Sequence, residues 1–296
     1  MKVAVSGASG LIGSALVPAL ETAGHEVLRL VRREPERANE VAWDPDAGTI
    51  DARGLAGVNA IVTLSGENLG RRWTEKRKAE ILHSRVASAG LLARTAAELD
   101  PRPTVFVSAG GAGIYGDRGD EILTEESTLG EGFLADVGRA WEAAAEPARA
   151  AGLRVVSFRQ GIVLSREGGA LERMLTPFKL GVGGRVGSGR QWWAWVALDD
   201  LITAYRFVLE NEVAGPVNLS SPNPATNVQF VKALGKALGR PTVFPVPGFA
   251  ITTVFGQMGE AMLLEGQRAL PARLLEMGFE FTQPDIGIAL ERAVRS

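Results

Sequence analysis

Three glycines spaced Gly7-x-x-Gly10-x-x-Gly13 are the residues of this 296-residue chain with the clearest chemical use. They follow the apolar run Val3-Ala4-Val5 and open an apolar-periodic stretch that begins at Leu11. A strand, a glycine turn and a helix in that order suit a pyrophosphate. Gly7 permits the tight turn, Gly10 the close approach of backbone to ligand, and Gly13 the packing of helix on strand. The start of the helix adds unsatisfied N–H groups and the positive end of the helix dipole. Gly7, Ser9, Gly10, Leu11, Ile12 and Gly13 are therefore expected to hold a dinucleotide. The next apolar run selects which one. It reads Leu28-Arg29-Leu30-Val31-Arg32-Arg33, so Val31, Arg32 and Arg33 stand where a site for a free ribose 2′-hydroxyl places an acid. Arginine pairs with a 2′-phosphate, which an acid would repel. NADP(H) is the expected cofactor, with solvated surface arginines as the alternative reading.

The elements that must position these groups alternate. Strands are expected at 3–5, 27–31, 60–64, 104–108 and 154–158, and helices at 11–23, 73–98 and 133–150. Strand–helix alternation at this spacing implies parallel strands joined by crossover helices. After Arg159 the rhythm changes. Gly181 to Gly189 reads as a loop, Asp199-Asp200 as the cap of a helix running to Leu209, and 217–219 as a late strand. From Pro222 onward, prolines punctuate mostly helical segments. The expected fold is α/β, a Rossmann-type doubly wound parallel sheet with a smaller, mostly helical C-terminal lobe. The sheet domain is placed at 1–165 with 192–220 returning to it. The lobe is placed at 166–191 and 221–296.

Composition excludes several classes. With no cysteine, disulfides, thiolate catalysis and Cys-based metal sites are ruled out. Two histidines, His25 and His83, are too few for a His-rich metal centre, and no metal is expected. A net charge of −2 gives no electrostatic case for a nucleic-acid or membrane partner, and neither is expected. The apolar run after Lys2 is too short for a secretory signal, and no stretch approaches the roughly 20 residues of a membrane span. A cytoplasmic enzyme, monomer or homodimer, acting on a small molecule is the expectation.

Further segments carry a resemblance. Leu64-Ser65-Gly66-Glu67-Asn68, Arg71-Arg72-Trp73, Ile81 through Arg85, Ser108 through Tyr115-Gly116 and Trp141-Glu142 come in order. They are followed by Gly187-Ser188-Gly189 to Asp200, Asn218 to Asn227, and Leu264-Glu265-Gly266-Gln267-Arg268. Together with the glycine spacing, this series resembles the atypical extended short-chain dehydrogenase/reductases, the epimerase-like oxidoreductases with a C-terminal DUF1731 domain. The resemblance implies that Leu64, Ser65 and Gly66 line the nicotinamide side of the cofactor and that Val163 lies near it. It also implies that Glu80 and Arg85 reach the adenosine part.

The departures bear on mechanism. Active members of that superfamily use a Tyr-x-x-x-Lys pair with a serine, the lysine lowering the tyrosine pKa so that a proton can move with the hydride. Aligned on Glu142, this chain has Leu134 for the tyrosine, Gly138 for the lysine and Gly110 for the serine. Tyr115, Ser108 and Glu67 follow or end strands and are the remaining catalytic candidates, each with a structural reading beside it. Trp193 and Trp195 fall on one face of a short strand and Trp192 on the other, giving either a sugar-stacking wall or core packing. The leading expectation is an NADP(H)-dependent oxidoreductase of unknown substrate. A catalytically degenerate NADP(H)-binding sensor or scaffold is second, and a nucleotide-sugar epimerase third.

Overall fold

A computed structural model describes residues 1–295. Eight strands form one sheet: β1 Lys2–Ser6, β2 Glu26–Val31, β3 Glu40–Asp44, β4 Thr49–Ile50, β5 Ala60–Thr63, β6 Val105–Ser108, β7 Arg154–Gln160 and β8 Gly215–Leu219. Their order is β8-β7-β6-β5-β1-β2-β3-β4. Every neighbouring pair is parallel except β3–β4. The helices used below are α1 Leu11–Thr22, α2 Glu75–Glu98, α3 Phe133–Ala143, α4 Glu146–Ala150, α5 Gly169–Lys179, α6 Leu198–Glu210, α7 Asn227–Leu238, α8 Gly248–Phe255 and α9 Ile286–Arg295.

The strands near the middle are apolar on both sides because both faces are covered. On one face, Leu16 and Leu20 of α1 and Leu201 and Tyr205 of α6 pack on Val3, Val5, Val62, Val107 and Phe158. On the other, Leu91, Leu92 and Ala96 of α2 and Ala148 of α4 pack on Ala4, Leu28, Ile61, Phe106 and Val155. Each fully buried leucine of these layers contributes about 1.5–3 kcal/mol of apolar transfer. Local signals agree with the packing. Thr74 caps α2 by accepting from the Arg77 N–H at 3.2 Å, and Gly24, at φ +84°, ends the turn after α1.

A third core lies beyond β8. Leu171, Leu175 and Phe178 of α5, Phe230 and Leu234 of α7 and Leu290 of α9 enclose Trp193 and Trp195. These two tryptophans are core residues and form no wall: the Trp193 ring meets Phe230 edge-on at 5.2 Å, and Trp195 Nε1 donates to Asn223 O at 3.0 Å. Trp192 points the other way, donating to Asp120 Oδ1 at 2.7 Å beneath the Arg268 guanidinium.

Three local expectations are corrected. The helix expected over 133–150 is two, because Pro147 in the first turn of α4 cannot continue the hydrogen-bond ladder of α3. Strands β3 and β4 add to those expected; their sequence signal is weak, since Glu40 to Asp44 buries only Val41 and Trp43 between polar ends. Asp199 and Asp200 do not cap α6. That helix starts at Leu198, and both acids stand in its first turn, where the helix dipole favours them. The buried Asp200 carboxylate accepts from Thr282 N at 2.8 Å, Thr282 Oγ1 at 2.6 Å and Gln283 N at 2.9 Å, tying the C-terminal segment to α6.

Candidate functional site

Strand order reverses between β1 and β5, and the crevice above their C-terminal ends is where doubly wound sheets take ligands. The glycine turn forms its floor. Gly7 has φ +69°, and a Cβ there would lie 2.9 Å from the Leu64 carbonyl carbon. A Cβ on Gly13 would lie 2.2 Å from Gly7 O, so only glycine lets α1 dock this close to the turn. Gly10 donates to Gly7 O at 3.0 Å, which leaves the next amides at the start of α1 directed outward.

A cavity of about 960 Å³ opens over this turn. Of the residues expected at a cofactor, Gly7, Ser9, Gly10, Val31, Arg32, Arg33, Leu64, Ser65, Gly66 and Glu80 line it. Leu11, Ile12, Gly13, Arg85 and Val163 lie outside that lining. Leu11 faces Gly168 and Gly169, and Ile12 and Val163 pack against the core between α1, α6 and the sheet. Arg85 is buried behind the loop, donating to Glu67 O at 3.0 Å and Ile81 O at 3.1 Å, with its guanidinium over the Trp141 ring. Burial pulls its pKa down to about 10. A Cβ on Gly66 would come within 3.1 Å of Arg85 Cζ, so this arginine braces the Ser65–Glu67 loop from below.

At the far end of the cavity, the two arginines that follow Val31 differ. Arg33 is held by Glu40 through two hydrogen bonds of 2.9 and 2.8 Å. That bond, with the Glu36 amide on the same carboxylate, draws the Glu40 pKa from 4.5 down to about 2. Among the described residues Arg32 has no ion-pair partner where it lines the cavity, and neither has Arg37, which sequence reasoning missed. The signal for Arg37 is the spacing of three arginines at 32, 33 and 37 with Glu40 seven residues after Arg33. Across the cavity from them, Asp46 of the turn between β3 and β4 meets His83 Nε2 of α2 at 3.0 Å.

The catalytic candidates separate. Glu67 lines the cavity, with its carboxylate 2.8 Å from Arg77, which also holds Glu80 at 3.1 Å. Ser108 is 1% exposed at the end of β6, and its Oγ lies 3.3 Å from Ala109 O. Tyr115 is fully buried. Its hydroxyl proton is shared between Asn218 Oδ1 at 2.7 Å and Thr124 O at 2.9 Å, and its oxygen accepts from Arg159 Nη1 at 2.9 Å. Arg159 is in turn bound to Glu142 by bonds of 2.8 and 3.0 Å. Asn218 N donates to Glu125 Oε1 at 2.9 Å, Asn218 Nδ2 donates to Leu270 O at 2.9 Å, and Arg273 N donates to the same Glu125 oxygen at 3.3 Å. Burial pushes the Tyr115 hydroxyl above its ordinary pKa. This is a buried joint between β7, β8 and the C-terminal segment. Tyr115→Phe is accordingly expected to lower stability by about 1–3 kcal/mol, the cost of leaving Arg159 and Asn218 under-bonded, while any turnover stays within about twofold. Chemical denaturation beside a rate assay checks this. A rate loss above about tenfold at unchanged stability would return Tyr115 to the chemistry.

Leu134, which stands for the tyrosine of the Tyr-x-x-x-Lys pair when the chain is aligned on Glu142, sits in an apolar cluster with Trp73, Phe133, Val137, Met258 and Met262. Gly138 is packed against Ile114, since a Cβ there would lie 2.7 Å from its Cγ1. No tyrosine or lysine of the usual relay is present, and the space of both is taken by core packing. Among the described residues no group of three or more His, Cys, Asp or Glu could hold a metal ion. No helix among them is long and apolar enough to cross a membrane.

Comparison with known proteins gives matches along the whole chain. Residues 3–220 match the model of the NAD dependent epimerase/dehydratase family, and residues 246–293 match a domain of unknown function, DUF1731. Epimerase family protein Mb2239 of Mycobacterium bovis is 42% identical over 290 residues, covering 97% of this chain and 96% of that protein. Epimerase family protein SDR39U1 of Homo sapiens is 39% identical over 300 residues, covering 99% and 100%. The crystal structure of human SDR39U1 (isoform 2) with NADPH superposes with a TM-score of 0.91 at 36% identity over the whole of both chains. A nucleoside-diphosphate sugar epimerase from Corynebacterium glutamicum superposes at 0.83 and 38% identity, covering 99% of this chain and 58% of that one.

Proposed function

Because the chain belongs to the NAD dependent epimerase/dehydratase family, with a DUF1731 domain at its C-terminal end, we propose that it is an NADP(H)-dependent oxidoreductase acting on a small carbonyl or enone substrate. The observation that carries the cofactor is the pair of guanidiniums free of carboxylates, Arg32 and Arg37, at the cavity end where an NAD site places an acid. The other donors fit as well. The glycine turn leaves a cradle that a Cβ would fill, and the amides at the start of α1 face it. The NADPH held by human SDR39U1 at 36% identity supports the same choice. When bound, the nicotinamide supplies or accepts a hydride.

The chain's own residues do the rest. The Gly7–Gly13 turn and α1 neutralise the pyrophosphate, and Arg32 and Arg37 take the 2′-phosphate. Leu64, Ser65 and Gly66 form the wall that leads toward the nicotinamide, stiffened by Arg85. Val31, in the cavity lining, would stand beside the adenosine, and Glu80 is held at the cavity edge by Arg77. Of Tyr115, Ser108 and Glu67, only Glu67 lines the cavity, and its carboxylate, oriented by Arg77, is the group offered for proton exchange. A second reading, a cofactor-binding sensor without turnover, is favoured by Leu134 and Gly138 in packed apolar surroundings. A nucleotide-sugar epimerase ranks below both, since transient oxidation of a sugar carbon relies on the missing tyrosine.

The test is a fluorescence titration with NADPH and NADH, followed by a screen of carbonyl and enone substrates for NADPH oxidation. Tight NADPH binding with multiple turnovers is expected. Tight binding with no turnover across the panel would transfer the case to the sensor, and equal affinity for NADH would sink the cofactor assignment.

A further inference from the structure

The acids and bases of this chain are nearly balanced, 34 against 32, but they are not evenly spread. Residues 173–198 hold Arg173, Lys179, Arg185 and Arg190 and no acid. Residues 213–259 hold Lys232, Lys236 and Arg240 and no acid. The fold sets these two segments side by side: Gly184 bridges Val243 and Val186 bridges Val246, while α5 and α7 share one core. Glu172, Asp199, Glu212 and Glu260 border the segments in sequence without entering them. Among the described residues none of the seven cations is in an ion pair. Arg173 donates to Gly70 O and Asn68 Oδ1, and Arg185 to Gly187 O and Ser188 O. All seven are exposed.

The same two segments carry the most exposed large apolar side chains of the protein. Phe249 is 74% exposed, Leu180 73% and Val243 70%, with Val254, Phe244 and Val182 all above half. Helix α8 fully buries only Ile251. From Pro241 to Gly259 there is no charged residue, although 22% of the chain is charged. Adjoining segments that leave this many large apolar side chains exposed on a folded protein mark a place where something docks.

We propose that this surface docks on an anionic lipid surface, with Phe244, Phe249, Leu180 and Val243 entering the headgroup region and the surrounding lysines and arginines meeting lipid phosphates. Charge decides between occupants. A second copy of the chain, placed across a two-fold axis, would set the same unpaired cations against each other. An anionic lipid surface satisfies the cations and the apolar groups together. The contact is peripheral: α8 has eight residues, enough to lie in the interface and far short of a span. The net charge of −2 conceals it, because the compensating acids lie outside these two segments of the chain. This inference does not depend on the cofactor reading.

The test is co-sedimentation of the full chain with vesicles of phosphatidylcholine alone and with about 30% phosphatidylglycerol. The protein is expected to pellet with the anionic vesicles at least about tenfold more strongly, each cation near the surface contributing about fivefold. Phe249→Glu with Leu180→Glu, and separately Lys232→Glu with Lys236→Glu and Arg240→Glu, should each weaken this at least about tenfold. Melting temperature and far-ultraviolet circular dichroism, unchanged in both variants, verify that they fold. Absent pelleting, or pelleting that neither variant alters, overturns the proposal. So does sedimentation equilibrium showing a dimer that Phe249→Glu dissociates while vesicles stay unbound, which would make the surface a subunit interface.

Discussion

Replacing Arg32 and Arg37 together with alanine is expected to weaken NADPH binding by at least about 100-fold and to leave NADH binding within about twofold. Each guanidinium offers charge-assisted hydrogen bonds to a 2′-phosphate, worth about 1.5–3 kcal/mol, and tenfold in affinity corresponds to about 1.4 kcal/mol. Both side chains line the cavity with no competing carboxylate among the described residues. Arg33→Ala is the control. Its guanidinium is already satisfied by Glu40 at 2.8 and 2.9 Å, so the loss should stay below about fivefold. Fluorescence titration of the variants against both nucleotides measures this. If Arg33→Ala lost as much as the double variant, the division of labour between the arginines would be wrong.

The Arg33–Glu40 lock also has a pH signature. The folded-state pKa of Glu40 lies at about 2, below its ordinary 4.5. Its stabilising effect is therefore full above about 4.5 and lost as the pH falls through about 2. Nucleotide preference should thus not drift between about pH 6 and 8 on account of this pair.

The second large effect concerns stability. Arg159→Met is expected to cost about 3–5 kcal/mol, because it leaves the Glu142 carboxylate and the Tyr115 oxygen without their partner in a buried site. At about 2–4 °C per kcal/mol for a domain of this size class, the melting temperature should fall by roughly 6–20 °C. Thermal unfolding followed by circular dichroism reads it directly. A fall under about 2 °C would mean that this joint does not hold β7 and β8 to the C-terminal segment.

The parts of the fold legible in the chain are those where one local rule dominates. The glycine turn, β1, β2 and α1 follow from backbone geometry and apolar period alone, and the arginine-bearing end of β2 follows from charge. What escapes depends on partners distant in sequence. Arg33 and Arg32 look alike until Glu40, on a strand that alternation barely signals, is placed beside one of them. Arg85 reads as a surface charge or a ligand on its helix, and only the fold reveals that it lies under Gly66. Tyr115 reads as a catalytic candidate because it follows a strand end, yet its hydroxyl meets Asn218, 103 residues away. Asp199 and Asp200 read as caps because a cap and a first-turn acid differ by a shift of only two or three residues: the cap position is Ala197. The absence of the Tyr-x-x-x-Lys pair is plain from the chain, whereas the apolar cluster around Leu134 requires the fold.

The joint at Asn218 bears on how the chain comes to be folded. Asn218 finds Leu270 52 residues downstream, and Glu125 finds Arg273 148 residues downstream. During synthesis, strands β1 to β7 emerge with their crossover helices long before either partner is available. Closing contacts of such high sequence separation is entropically slow. Folding during synthesis is therefore expected to leave β8 an open sheet edge until the C-terminal segment that bonds to Asn218 and Glu125 is made. Exposed edges of that kind recruit chaperones or neighbouring chains, so truncation or destabilisation of the last quarter of the sequence is expected to lower yield on expression more than changes in the glycine turn.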